Sequence, residues 1–361
     1  MTACNTLASL CAIPYAEEMP PNAPAVIDWY RSPLPSDLFK QLHQRSDAQA
    51  WLQTGGYLGI MACTGALSIW SWLHWAWWIT VLCVFAHGMV MAFLPNGIHE
   101  LGHGTVFKTK ALNKFFLRVL AFLGWHQFVF FDASHQRHHR YTLHPPDDME
   151  VVLPVKLMWR QFWQQGFINV PALKWVLGYH FRLALGRFQG KWELHCLPEE
   201  EPALRREVMN WSRIVLLGHA LIIAVSMLTG WWMVAVVLSG GGWIGHWLFW
   251  LCNNAQHTGL TDNVPDFRLC CRTIYLHPVV SFLYWRMNYH TEHHMYAAVP
   301  CYKLKRLHEA IRHDMPPCPR GLLATWKQID GILRRQRTEP DYQYVAPLPK
   351  TAAPTPGPAV G

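Results

Sequence analysis

Charge is scarce in this chain. Only 15% of its 361 residues are Asp, Glu, Lys or Arg, whereas 51% are hydrophobic. Length alone would allow two or three soluble domains, and so apolar a composition argues against them. The ten cysteines form no C-x-x-C pair, and the adjacent Cys270 and Cys271 cannot easily bridge each other in ordinary backbone geometry. A zinc ribbon or a disulfide scaffold is therefore not expected. No basic segment leads into an apolar core near the first residue, so no cleavable signal peptide is expected. There is no solenoid-type repeat. No aromatic–basic single-strand motif or other nucleic-acid reader pattern accompanies the net charge of +8, and no nucleic-acid partner is inferred. Motifs for flavin, nicotinamide or haem are also missing.

Long apolar runs are present instead. Residues 57–73 and 75–94 are apolar, with only His74 and His87 as titratable interruptions; 214–251 is a second apolar region that divides near Gly230-Trp231. Each part approaches the ~20 residues that cross a bilayer as a helix. The fold expected is all-α and integral to a membrane, with four transmembrane helices in two hairpins. The hairpin turns at 72–78 and 228–232 hold no Lys or Arg, while Lys108, Lys110, Lys114, Arg118, Arg137 and Arg140 crowd the segment between the hairpins. The positive-inside rule then places both termini and that segment in the cytoplasm, of a cell membrane if the source is bacterial. Attraction to anionic headgroups is consistent with the excess of basic residues. The expected organisation is an N-terminal cytosolic segment over 1–50, a membrane domain with a cytosolic helical cap over 51–310, a helical segment over 311–344, and a disordered Pro/Ala-rich tail over 345–361. The apolar stretch 115–131 begins among lysines and is short for a crossing, so it reads as an interfacial or re-entrant segment.

Three histidine clusters carry the chemistry: His99 and His103 (H-x3-H), His135, His138 and His139 (H-x2-H-H), and His290, His293 and His294 (H-x2-H-H). Residues three and four apart share a helix face, so each cluster can aim two or three imidazoles at one point. Asn253 and His257 repeat the i,i+4 spacing with an amide and an imidazole. Nine histidines from four segments exceed the needs of one metal ion. They suit two, and imidazole serves iron, copper, nickel and zinc. A single histidine in an apolar run, such as His87, His219 or His246, is by default a helix–helix hydrogen-bonding group. A metal-bound imidazole usually gives its other N–H to a carboxylate or carbonyl. Asp147, Asp148 and Asp262 are the preferred carboxylates, and Glu100, Asp132, Asp266 and Glu292 also lie near the clusters. A histidine-rich metal transporter would share the helices and the imidazoles, but it would line a path across the bilayer. The clusters here gather on one predicted side.

The order of these clusters, their place relative to two hairpins, and the sequences His99-Glu-Leu-Gly-His103, His135-Gln-Arg-His138-His139, Asn253-Asn254-Ala-Gln-His257 and His290-Thr-Glu-His293-His294 resemble the membrane fatty acid desaturase superfamily. The resemblance covers most of the chain, from about Tyr57 to His308. It implies a non-haem di-iron centre held by the cytosolic cap, O2 as co-substrate, and electrons from outside the chain. The nine clustered histidines would be iron ligands, and Asn253 would contact the site through water. The first cluster is H-x3-H where many acyl-CoA and acyl-lipid members carry H-x4-H. No His-Pro-Gly-Gly haem signature is present, so a separate ferredoxin- or cytochrome b5-type donor with its reductase is expected. The leading expectation is a desaturase of an alkyl chain, most simply a fatty-acyl lipid entering from the bilayer. Desaturation of a small amino-acid-derived metabolite, as in dihydrorhizobitoxine-type relatives, and hydroxylation by the same machinery are the alternatives.

Overall fold

A computed structural model describes residues 26–155 and 157–350. Residues 1–25 of the expected N-terminal cytosolic segment, and 351–361 of the tail expected over 345–361, lie outside the described residues. The described chain is helical throughout, with four isolated β-bridges in place of sheets. It divides into two compact units. One comprises the residues up to Arg45, Ser134–Leu157 and the residues from Leu251; the other comprises Ser46–Ala133 and Met158–Trp250.

The second unit contains the long apolar helices. Asp47–His74, Trp77–Gly102 and Pro202–Leu228 are each long and apolar enough to cross a membrane. Ser46 caps the first by accepting the Gln49 N–H, which satisfies one of the donors a helix start leaves open. Large apolar side chains stay exposed along these helices, including Leu52, Leu217, Leu221 and Leu228. An uncovered apolar surface of this extent belongs in lipid. The helices pack closely where side chains are small. A Cβ at Gly88 would sit 2.4 Å from the Ile244 carbonyl oxygen, so only glycine allows that approach.

Several buried polar groups in this unit are satisfied within it. The Tyr57 hydroxyl donates to the Val90 carbonyl at 2.8 Å. His87 bonds the Thr64 hydroxyl and the Val237 carbonyl. His219 bonds Ser239 and the Phe122 carbonyl, and its ring stacks on Trp125 at 3.9 Å. His246 bonds the Gly242 carbonyl. These histidines outside the clusters are the structural groups expected of apolar runs, since an unpaired buried imidazole is costly.

Two segments depart from uniform helices. The fourth apolar run is helical over Trp232–Trp243, 12 residues including a π-turn at Val236–Gly240, and again over Trp247–Asn253. The glycines at 240–242 sit in its irregular last turns, and the break that follows carries Gly245 with a positive φ of 71°. Apolar composition alone did not reveal that break. The stretch read as interfacial or re-entrant is a bent pair, Lys110–Leu123 and Phe128–Tyr141, meeting at 111°. Trp125 at the bend has φ +51°. Such a pair has the length and composition of a broken span or a re-entrant loop.

The first unit is pinned by a buried charge cluster. Arg268 is fully buried, with its guanidinium on Asp266 at 2.7 Å and on Asp314 at 2.7 Å. Asp314 also accepts from the hydroxyls of Tyr30 (2.7 Å) and Ser32 (2.6 Å). Burial, followed by the hydrogen bond to Asp314, pushes the Tyr30 hydroxyl up to about 12. Three distant stretches of sequence are thereby tied together. Removing one member of such a buried pair strands the other charge, at a cost of about 3–5 kcal/mol. We expect Arg268→Ala to lower stability by that amount in thermal or denaturant unfolding, and a loss below about 1 kcal/mol would contradict the structural role.

Candidate metal centre

Seven of the clustered histidines lie in the first unit. His135, His138 and His139 ride on the helix Phe128–Tyr141. His290, His293 and His294 ride on the single-turn helix His290–Met295. His257 follows the helix Trp247–Asn253, whose last residue is Asn253. Two residues further on, Gly259 has φ +74°, and a Cβ there would meet Ile332 at 2.5 Å. That close approach fixes the turn carrying His257 against the helix Gly321–Arg335.

The ligand atoms of His138, His257, His290 and His294 all lie within 4.8 Å of one another, and all four residues are buried. Nε2 of His290 is 2.8 Å from Nε2 of His257 and 3.2 Å from Nε2 of His294. In the same unit, His135, His139 and His293 also bring their ligand atoms within 4.8 Å, with Nε2 of His139 and His293 3.1 Å apart.

The far side of these rings settles which nitrogen holds the proton. Nδ1 of His257 lies 2.8 Å from the Cys270 carbonyl oxygen, which can only accept. Nδ1 of His138 lies 2.8 Å from the Asp148 carboxylate. The Thr142 hydroxyl gives its hydrogen to the His138 carbonyl at 2.6 Å, so it accepts from Nδ1 of His294 at 3.1 Å. All three Nδ1 atoms are therefore N–H donors, and Nε2 is the nitrogen that each ring turns to the common point. Burial, then repulsion by the neighbouring imidazoles, holds His294 well below the usual histidine range. Burial, then the nearby His138 charge, brings His257 down to about 3. Burial alone would lower His138, but the Asp148 charge and hydrogen bond, with Glu150, raise it, so a bound metal would take the place of its Nε2 proton. Imidazole nitrogens converging in this way are a cation site, because metal ligands must be deprotonated. The residues fit a nitrogen-ligated transition metal.

Carboxylates complete the support. Burial alone would raise the Asp148 carboxyl, but the His138 charge and hydrogen bond, with the N–H groups of Leu143 and Glu150, bring it below the usual range. Glu150 takes Nδ1 of His135 at 2.8 Å and accepts from Ser134 at 2.7 Å. Burial pushes Glu150 up to about 7, against the opposing charge of His138. In the other unit, His99 and His103 belong to the end of the helix Leu94–Gly102, with ring centroids 4.7 Å apart, and Nδ1 of His99 lies 3.0 Å from Glu100.

The structure thus sorts the carboxylates named from the sequence. Asp148 supports a clustered histidine. Asp262 instead pairs with Gln343, and Asp147 bonds no histidine among the described residues. Glu292, set between two clustered histidines, turns away from them to Thr273 and His308. Glu150, Thr142 and the Cys270 carbonyl were not anticipated. Only Glu150 carried a signal, as the second acid in Asp148-Met-Glu150 after the His135 cluster. Loss of such outer partners weakens metal affinity about 10–100-fold. We expect that effect from Asp148→Asn and none from Asp262→Asn, measured by competitive chelation; equal effects would contradict this reading.

The fatty acid desaturase family model matches residues 75–322. The chain belongs to the fatty acid desaturase family. The match spans the three histidine clusters and His257, and membership makes the chain an oxidoreductase with membrane helices. Among curated proteins, no sequence matches it.

Proposed function

We propose that this family member is an O2-dependent, membrane-bound di-iron desaturase that introduces a C=C bond into an alkyl chain, most simply that of a fatty-acyl lipid. The observation that carries the proposal is the convergence of His138, His257, His290 and His294, three with their rings oriented by Asp148, Cys270 and Thr142. All nine clustered histidines, His99 and His103 included, are taken as iron ligands, and Asn253 as a contact through water. The iron pair would supply O2 activation and removal of hydrogen from an unactivated carbon. The chain's own residues hold the imidazoles oriented, and their burial keeps bulk water away, which is positioning and shielding rather than acid–base work.

The proposal extends to topology and partners. Four crossings in two hairpins, a cytosolic cap and both termini in the cytoplasm follow from the Lys/Arg asymmetry and the even count of apolar runs. Trp232–Trp243, short as a continuous helix, would serve as the fourth crossing together with the residues after its glycine break. Electrons would come from a separate ferredoxin- or cytochrome b5-type protein. Comparative mass spectrometry of lipids and metabolites, from cells with and without the chain, tests the reaction. A lipid product lighter by two hydrogens is expected. A product heavier by one oxygen would make the chain a hydroxylase, and a change confined to soluble metabolites would replace the lipid substrate by a small one.

A further inference from the structure

A second site lies in the first unit, away from the ligand atoms described above. Tyr275, His308, Arg312, Cys318, Arg320 and Lys350 line a cleft of about 520 Å³, together with apolar Met315, Leu348 and four prolines. That volume falls within the range of sites for small organic molecules. The walls are rigid. Tyr275 donates its N–H to the Pro319 carbonyl at 3.0 Å and accepts the Gly321 N–H at 2.8 Å, which fixes it beside Arg320. The Arg320 guanidinium lies 5.7 Å from the centre of the Tyr275 ring. Pro316, Pro317, Pro347 and Pro349 restrict the remaining backbone, so little order has to be gained on binding.

The charges around this cleft have no counterpart among the described residues. Arg312, Arg320 and Lys350 form no ion pair among the described residues. The buried acid nearest in the hydrogen-bond chain is Glu292, and it is already satisfied by His308 and by the Thr273 hydroxyl. Nδ1 of His308 faces Glu292, and its Nε2 lies 2.8 Å from the Tyr275 hydroxyl oxygen. The Tyr275 oxygen is left with a lone pair able to accept from a ligand. The cleft thus combines three cations, one hydrogen-bond acceptor and apolar walls.

We infer that this cleft binds a phosphate ester that also carries a hydroxyl or amino donor, a compound of nucleotide size or the headgroup of a phospholipid. The phosphate would sit on Arg312, Arg320 and Lys350, since guanidinium groups match phosphate oxygens in a planar fork. The donor would reach Tyr275, and the remainder would lie on the prolines. This inference is independent of the reaction proposed above.

Binding of ADP and of dihexanoyl phosphatidylglycerol, which both carry free hydroxyls beside the phosphate, to the full chain in detergent, followed by calorimetry, tests it. At least one should bind, and the paired substitution Arg312→Gln with Arg320→Gln should weaken that binding by about tenfold or more. Lys350→Gln, close to the end of the described chain, should weaken it without changing the melting temperature, which guards against misfolding of the paired variant. ADP alone binding identifies a soluble ligand; phosphatidylglycerol alone binding identifies a headgroup. No binding of either, or binding unchanged in both variants, overturns the inference.

Discussion

His294→Ala is expected to abolish turnover and to strip metal from the chain while leaving it inserted in the membrane. His294 touches more of the proposed centre than its neighbours do. Its ring centroid lies 4.5 Å from that of His290, 4.4 Å from that of His139 and 4.9 Å from that of His138. Its proton is placed by Thr142, so its lone pair is committed to the common point. Losing it removes a direct ligand, and the effect should exceed the roughly 10–100-fold expected from losing an outer partner such as Asp148. Rate and metal content of the purified variant, compared with its insertion and folding, give the answer. Normal metal and normal rate would remove the third cluster from the centre.

The second large effect concerns electrons. Supplied with NAD(P)H, O2 and substrate, the purified chain should stay at background, and a ferredoxin- or cytochrome b5-type donor with its reductase should restore turnover. The reason is chemical: reducing O2 requires electrons, and the chain carries no flavin, nicotinamide or haem motif that could deliver them. Product formation from NAD(P)H by the chain alone would refute the need for a partner.

Much of the site was legible because helical periodicity converts spacing into direction. The intervals within His135–His139 and His290–His294 place each set on one face, and both clusters lie on helices in the structure. The partners of the rings were harder to read. Asp147 and Asp148 are chemically identical in sequence, and only the fold buries Asp148 against His138 while leaving Asp147 partly exposed. The Cys270 carbonyl has no signature at all, since every residue carries one. Thr142 counts only because its hydrogen is already given to His138. In the apolar part, hydropathy located three long helices but not the break after Trp243, because a count of apolar residues is blind to what Gly240, Gly241 and Gly242 do to a backbone. The stretch 115–131, read from its lysines and short length as interfacial or re-entrant, is a pair of helices bent near Trp125, with the composition of a broken span or a re-entrant loop.

The most direct test of the di-iron account is the iron stoichiometry of the full chain after anaerobic reconstitution with Fe(II) and removal of loosely held metal. The account predicts about two irons per chain, bound mainly through imidazole nitrogen. A folded, membrane-inserted chain that retains one iron or none under those conditions would contradict it.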